Sequence, residues 1–228
     1  LIADSMYSAA MPEDRVQNTE RFVKKLVLAL KTPGSFDYPF TKLQDKINII
    51  YPEDKSFRIF NWMTLPTDVT VRYYGAVQLP AEQLKLYPLI DYTAELKEGA
   101  EDSVLKNGKW MGAMIYRIMK QEYEGMDVYT LFGKNASSLV SDKKILDPMI
   151  LTPQGPVFGA PIFNVRSQTR PNDRINRFII EYKKNVQASM NWDPELNAIF
   201  FDRLASEQND PNRKYTFVPT GQYDGFRW

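Results

Sequence analysis

The strongest constraint on the fold is a change of hydrophobic period near residue 57. Phe57, Ile59 and Met63 alternate with Arg58, Phe60 and Trp62, and Val69, Val71 and Tyr73 alternate with Thr70, Arg72 and Tyr74. Successive side chains on a strand point to opposite faces, so a period of two is the mark of a sheet. Leu65-Pro66-Thr67-Asp68 between the two runs reads as a hairpin loop. Further strands are expected over 86 to 93, 126 to 132, 144 to 151, 156 to 163, 175 to 183, 186 to 192, 197 to 203 and 214 to 218. Asn185, Asp193-Pro194 and Asp210-Pro211-Asn212 supply turns between them. Pro88, Pro148, Pro156 and Pro161 cannot donate to a ladder, which assigns them to edges, strand ends or bulges. Strand signals recur roughly every ten residues without alternating helices, which implies antiparallel pairing. The expected fold is mainly β, an antiparallel meander or a barrel- or sandwich-like sheet. Thirteen Tyr, 13 Phe and 4 Trp suit such a sheet.

Residues 110 to 120 carry both periods. Trp110, Met114 and Ile118 fit a helical stripe, yet every second residue is also apolar, and Gly108 and Gly112 disfavour a helix. A buried strand is the expectation. The polar stretch 93 to 109 reads as a long exposed loop.

Before residue 57 the period is that of a helix. Val16, Thr19, Phe22, Val23, Leu26, Val27 and Leu30 form one stripe over 13 to 31, with Arg21, Lys24, Lys25 and Lys31 outside it. Pro12, Glu13 and Asp14 suit a first turn, where acidic groups oppose the helix dipole, and Thr32-Pro33-Gly34 ends the run. Docking on a core explains the stripe; a helix lying on a membrane surface is the functional alternative. A short second helix is expected over 40 to 48, with Phe40, Leu43 and Ile47 on one side. Together these segments predict one domain over 1–228, a helical cap over 1–50 on a β body over 51–228. A chain of 228 residues buries roughly 70% of its unfolded surface, which requires no staple.

Two absent residue types exclude more chemistry than any motif suggests. Without Cys there is no disulfide, zinc ribbon or thiol nucleophile, and without His there is no imidazole base or Ser-His-Asp triad. Catalysis is left to Asp, Glu, Lys, Tyr, Ser and Arg. No metal is expected, since Cys and His are absent and a core of this size needs none. No Walker loop, Gly-x-Gly-x-x-Gly or Gly-x-Ser-x-Gly occurs, so nucleotide and esterase motifs are unsupported and no cofactor is expected. The balance of 29 basic and 28 acidic residues leaves a net charge of +1. That provides no field for nucleic acid. No apolar run reaches the ~18 residues of a transmembrane segment. The chain begins at Leu1, not Met, as expected of a processed N-terminus from which a signal peptide has been removed.

Several blocks carry a resemblance. Asp54-Lys55-Ser56-Phe57-Arg58-Ile59-Phe60-Asn61-Trp62 resembles the opening of an uncharacterised family of secreted proteins from Bacteroidetes-type bacteria. Lys109 through Tyr116, Tyr129 through Gly133, Arg177 through Tyr182, Ile199 through Leu204 and Tyr223 through Phe226 resemble its later blocks, in order. The chain departs from that pattern at Lys134-Asn135-Ala136 and at Arg203. The resemblance implies an exported protein: periplasmic, outer-membrane-associated or secreted. It implies no activity.

Paired carboxylates are the catalytic device this composition leaves intact, as in glycoside hydrolysis. Glu181, Asp193, Asp202 and Asp224 lie in or beside apolar strands, where a carboxylate is costly unless paired. The structural reading is that Arg58, Arg177 or Arg203 neutralises them. Asn191 to Glu195 and 209 to 212 are oxygen-rich, but they lack the spacing of a calcium loop and read as Asx turns. Trp62, Tyr74, Trp110, Trp192 and Tyr223 are candidates for a platform on which sugars stack, and core packing is the alternative for each. The expected function is a non-catalytic binding or structural module of the cell envelope, with a glycan or another envelope protein as partner. A His-independent glycan hydrolase using two carboxylates is the alternative.

Overall fold

The computed structural model describes residues 2–96, 98–165 and 174–227. Strand outweighs helix, 45% against 17%, as the period of two predicts. Helices α1 (Ile2–Ser8), α2 (Pro12–Leu30) and α3 (Thr41–Gln44) come first. Pro12 opens α2 with Glu13 and Asp14 in its first turn, and Phe22, Leu26 and Leu30 are buried beneath it. Each of those side chains contributes ~1.5–3 kcal/mol. The helix expected over 40 to 48 is a single turn. Beyond it the chain is drawn into the sheet, where Asn48, Ile49 and Ile50 pair with Asn61, Phe60 and Ile59.

The first sheet has the order β1 (Asn48–Ile50), β2 (Arg58–Thr64), β3 (Arg72–Leu79), β4 (Lys85–Asp91) and β5 (Lys109–Trp110). The strand expected from residue 69 begins at Arg72, because Thr67 Oγ1 accepts the backbone N–H groups of Val69 and Thr70 and holds them in the loop. The β4–β5 pair is parallel, a departure from the antiparallel expectation. The long connection that makes this possible is not a free loop. Leu105 bridges to Phe158 and is buried, and the Glu101 carbonyl accepts from the amides of Asn176 and Arg177.

The second sheet contains β6 (Met114–Tyr123), β7 (Met126–Asn135), β8 (Ser141–Thr152) and β9 (Gly155–Phe158). The short strands β10 (Phe163–Asn164) and β11 (Arg174–Ile175) pair with each other, and β12 (Phe178–Lys183) joins β8 along its first half. A third sheet has the order β13 (Met190–Asp193), β14 (Ala198–Ser206) and β15 (Phe217–Arg227). No helix among the described residues is long and apolar enough to cross a membrane.

The hydrophobic clusters show how these pieces stack. Met6, Phe22, Leu26 and Leu30 pack on Phe60 and Trp62, on one face of the first sheet. Its other face, through Ile59, Tyr73 and Val77, meets Ile115, Leu131 and Met149 of the second sheet. The opposite face of that sheet, through Phe132, Leu146 and Ile180, meets Met190, Ile199 and Phe201 of the third. The result is helices on sheet on sheet on sheet, a sandwich in series. The ambiguous segment is strand at Trp110 and from Met114 onward, as expected, but 111–113 lie between β5 and β6. Tyr116, Arg117 and Lys120 are exposed, because β6 is an edge strand rather than a buried one. At Gly112 a Cβ would lie 2.4 Å from the Asp91 carboxylate, so glycine is what lets the two segments close.

A cleft at Trp192

Where the edge strand β6 meets the turn between β13 and β14, a cleft of about 390 Å³ opens. Its lining includes Glu53, Arg117, Met119, Lys120, Gln121, Trp192 and Asn197. A bulge in β6 between Ile115 and Arg117 resets the strand's alternation. Trp192 pairs with Ile199 across β13–β14, its ring half-buried at the margin of the core between the second and third sheets. The turn beside it is set by Asp193, whose Oδ1 accepts the amides of Glu195 (2.8 Å) and Leu196 (3.1 Å). Asn197 completes the turn in the left-handed region, at φ 48°, a conformation asparagine tolerates.

Lys120, in the lining of the cleft, is the centre of a charge cluster. Lys120 Nζ is 3.0 Å from Asp54 and 2.8 Å from Asp127, which raises the lysine above its ordinary value. Burial alone would raise the Asp54 carboxyl; hydrogen bonds from Ser56, Lys120 and Tyr129 outweigh it and hold the group at about 2. Gln121 accepts from the Thr130 hydroxyl at 2.8 Å, while its Nε2 has no partner among the described residues. Arg117 and Glu53 are exposed, with no ion pair among the described residues. One aromatic wall, several hydrogen-bonding groups and little net charge are the properties of a site for a neutral polar ligand.

The other expected platforms lie elsewhere. Trp62 and Trp110 are 3% and 1% exposed and belong to the core. Trp62 stacks on Tyr74 at 5.5 Å and meets the Phe22 ring edge-on, so Tyr74 is engaged in packing as well. Tyr223 is exposed on β15, edge to face with Phe200, and does not line the cleft.

The four candidate carboxylates are each occupied, and they do not converge. Glu181 accepts from the Ser141 hydroxyl and lies 3.6 Å from Lys143. Asp193 caps its turn. Asp202 is buried and accepts the Ser189 amide at 2.6 Å. Asp224 takes Arg203 in a two-point grip at 2.9 and 2.5 Å, which lowers its carboxyl below the ordinary range. Of the three arginines expected as partners, Arg203 fills that role; Arg177 pairs instead with Asp147, and Arg58 with no carboxylate among the described residues. A glycosidase acid needs a raised pKa and a second carboxylate across the bond. Asp224 is lowered rather than raised, and no two of the four line the cleft together.

Among the described residues no three acidic side chains are grouped as metal ligands. The segment 209 to 212 forms an Asx turn, with Asp210 Oδ1 accepting the Asn212 amide at 2.9 Å. Sequence reasoning missed Glu53, Arg117, Gln121 and Asn197. Their signal is weak: an alternating run along β6 and an asparagine four residues after Asp193, both also expected of solvent-facing positions. Comparisons with protein-family models, curated proteins and solved structures found no match.

Proposed function

We propose that this chain is an exported, non-catalytic binding protein of the cell envelope, which holds a neutral glycan in the cleft at Trp192. The observation that carries this reading is that the partly exposed Trp192 lines one cleft together with Gln121, Asn197 and Arg117. Sugars offer an apolar face to an aromatic ring and hydroxyls to such side chains. Export rests on the resemblance of the blocks from Asp54 to Phe226 to secreted proteins. The absence of catalysis is supported by the structural engagement of Glu181, Asp193, Asp202 and Asp224.

The test is a panel of host and plant glycans, followed by tryptophan fluorescence and by release of reducing ends. Binding predicts saturable quenching without product. Trp192→Ala should weaken it about thirtyfold, the effect of losing ~2 kcal/mol at a central aromatic, and Trp192→Phe should weaken it less. Reducing ends that disappear in a carboxylate-to-amide variant would replace this reading with the hydrolase. Neither quenching nor product would turn the cleft over to an envelope-protein partner.

A further inference from the structure

The helical layer leaves an apolar groove open on its surface. Between α1, α2 and α3 a space of about 310 Å³ is floored by Ile2, Phe22, Leu26, Phe40 and Leu43. Phe22 and Leu26 belong to the buried cluster beneath the helices, while Ile2, Phe40 and Leu43 are partly exposed against it. Three lysines, Lys25, Lys42 and Lys46, stand at the margin. Lys46 is held by Asp4 at 2.6 Å. Lys25 and Lys42 are exposed and have no carboxylate partner among the described residues. Two uncompensated cations therefore overlook a hydrocarbon floor.

These features restrict the occupant. An apolar floor rewards buried hydrocarbon, and a cationic margin rewards one anionic end. A peptide strand would need backbone partners, yet the N–H and C=O groups of α2 are spent within the helix. A surface that docks on a bilayer projects its apolar side chains outward, whereas Phe22 and Leu26 on this floor are buried and the space is of a size for a single chain. We propose that the groove binds one fatty-acid chain, its hydrocarbon along Phe22, Leu26 and Leu43 and its carboxylate between Lys25 and Lys42. This site is separate from the Trp192 cleft and does not depend on the glycan reading.

The experiment is a calorimetric titration of the full chain with saturated fatty acids of increasing length, each below its micelle-forming concentration, and with their methyl esters. Affinity should rise about fourfold per added methylene, the factor equivalent to ~0.8 kcal/mol, and level off once the groove is full. The esters should bind roughly fivefold or more weakly, the scale of two exposed charge pairs. Lys25→Glu with Lys42→Glu should abolish the preference for acid over ester while leaving ester binding in place. Ala29→Trp, which fills one end of the groove, should shorten the chain length at which affinity levels off. Affinity independent of chain length would overturn the proposal, as would equal binding of acid and ester. So would capture of the protein by anionic phospholipid vesicles without binding of the free acids.

Discussion

Two arginines, Arg58 and Arg177, are both wholly buried, and the protein accommodates their charges in different ways. Arg58 has no carboxylate partner among the described residues. Its guanidinium donates to Gln78 Oε1 (2.8 Å), the Tyr38 carbonyl (2.9 Å), the Tyr51 hydroxyl (2.9 Å) and the Ser35 carbonyl (2.5 Å). The rings of Phe60 and Phe40 lie 4.7 and 5.1 Å from its carbon, with Phe36 and Tyr51 farther out. Arg177 instead faces Asp147, Nε to Oδ1 at 2.8 Å. That approach lies off the hydrogen-bond line, so the contact is mainly charge on charge, and Nη2 finds no partner among the described residues. Its Nη1 donates to the Ala100 carbonyl at 2.6 Å and to Ser103.

The two sites have the same mechanical role, since each fastens an irregular segment (35–38 or 100–103) to a sheet. They differ in what remains when the arginine is lost. At Arg58 the remainder is a set of neutral acceptors beside an exposed Tyr38. At Arg177 the remainder is a buried carboxylate. A guanidinium can be solvated by dipoles and ring faces, but a lone buried anion has no comparable substitute.

The largest effect is therefore expected at the second site. Arg177→Leu should cost about 3–5 kcal/mol at neutral pH, measured by denaturant unfolding, and adding Asp147→Asn should restore most of it. Burial pushes the Asp147 carboxyl above its ordinary 3.8, against the pull of Arg177, and without Arg177 nothing opposes the rise. A carboxyl raised in the folded state binds more protons folded than unfolded. It thus favours folding below 3.8, and that contribution fades as pH climbs through the folded value. The deficit of Arg177→Leu should narrow on acidification, and the deficit of the double variant should not.

Arg58→Leu should cost less, about 2–3 kcal/mol, the scale of leaving buried neutral acceptors without donors. Should it prove costlier than Arg177→Leu, the distinction drawn between dipoles and a counter-ion fails. Its loss should also appear first as faster amide exchange in 32 to 40, with the sheets still protected.

The smallest effect concerns Asp54, whose behaviour is opposite in sign to that of Asp147. Held at about 2, it stabilises the fold above 3.8 and loses that contribution as pH falls toward 2. The group is partly exposed, so Asp54→Asn should cost under about 1 kcal/mol at neutral pH. The gap between variant and parent in unfolding midpoint should close on acidification. A gap that widens would reverse the sign assigned here.

These sites also mark where the sequence stops being informative. Arg58 and Arg177 are visible in it as cations among apolar residues, but nothing local distinguishes a ring of carbonyls from a carboxylate far away in the chain. Tryptophan poses the same difficulty. Trp62, Trp110 and Trp192 all sit in strand-like runs, and stacking of the layers buries the first two while leaving the third at an edge.

What the sequence by itself determined is everything carried by local period and turn chemistry: α2 from Pro12, strands from Arg58 onward, and the Asx turns at Asp193 and Asp210. What the tertiary structure alone decided is which faces are covered. In a sheet with one wet face, alternation survives and can be read. The second sheet has core on both sides, with Leu131 packed toward the first sheet and Phe132 toward the third. Both faces of such a strand must be apolar, whereas along the edge strand β6 a bulge between Ile115 and Arg117 shifts the alternation of 110 to 120. The parallel β4–β5 pair, the Trp192 cleft and the groove on the helices likewise depend on segments distant in the chain. Burial is set by those long-range neighbours, and no local pattern of residues records them.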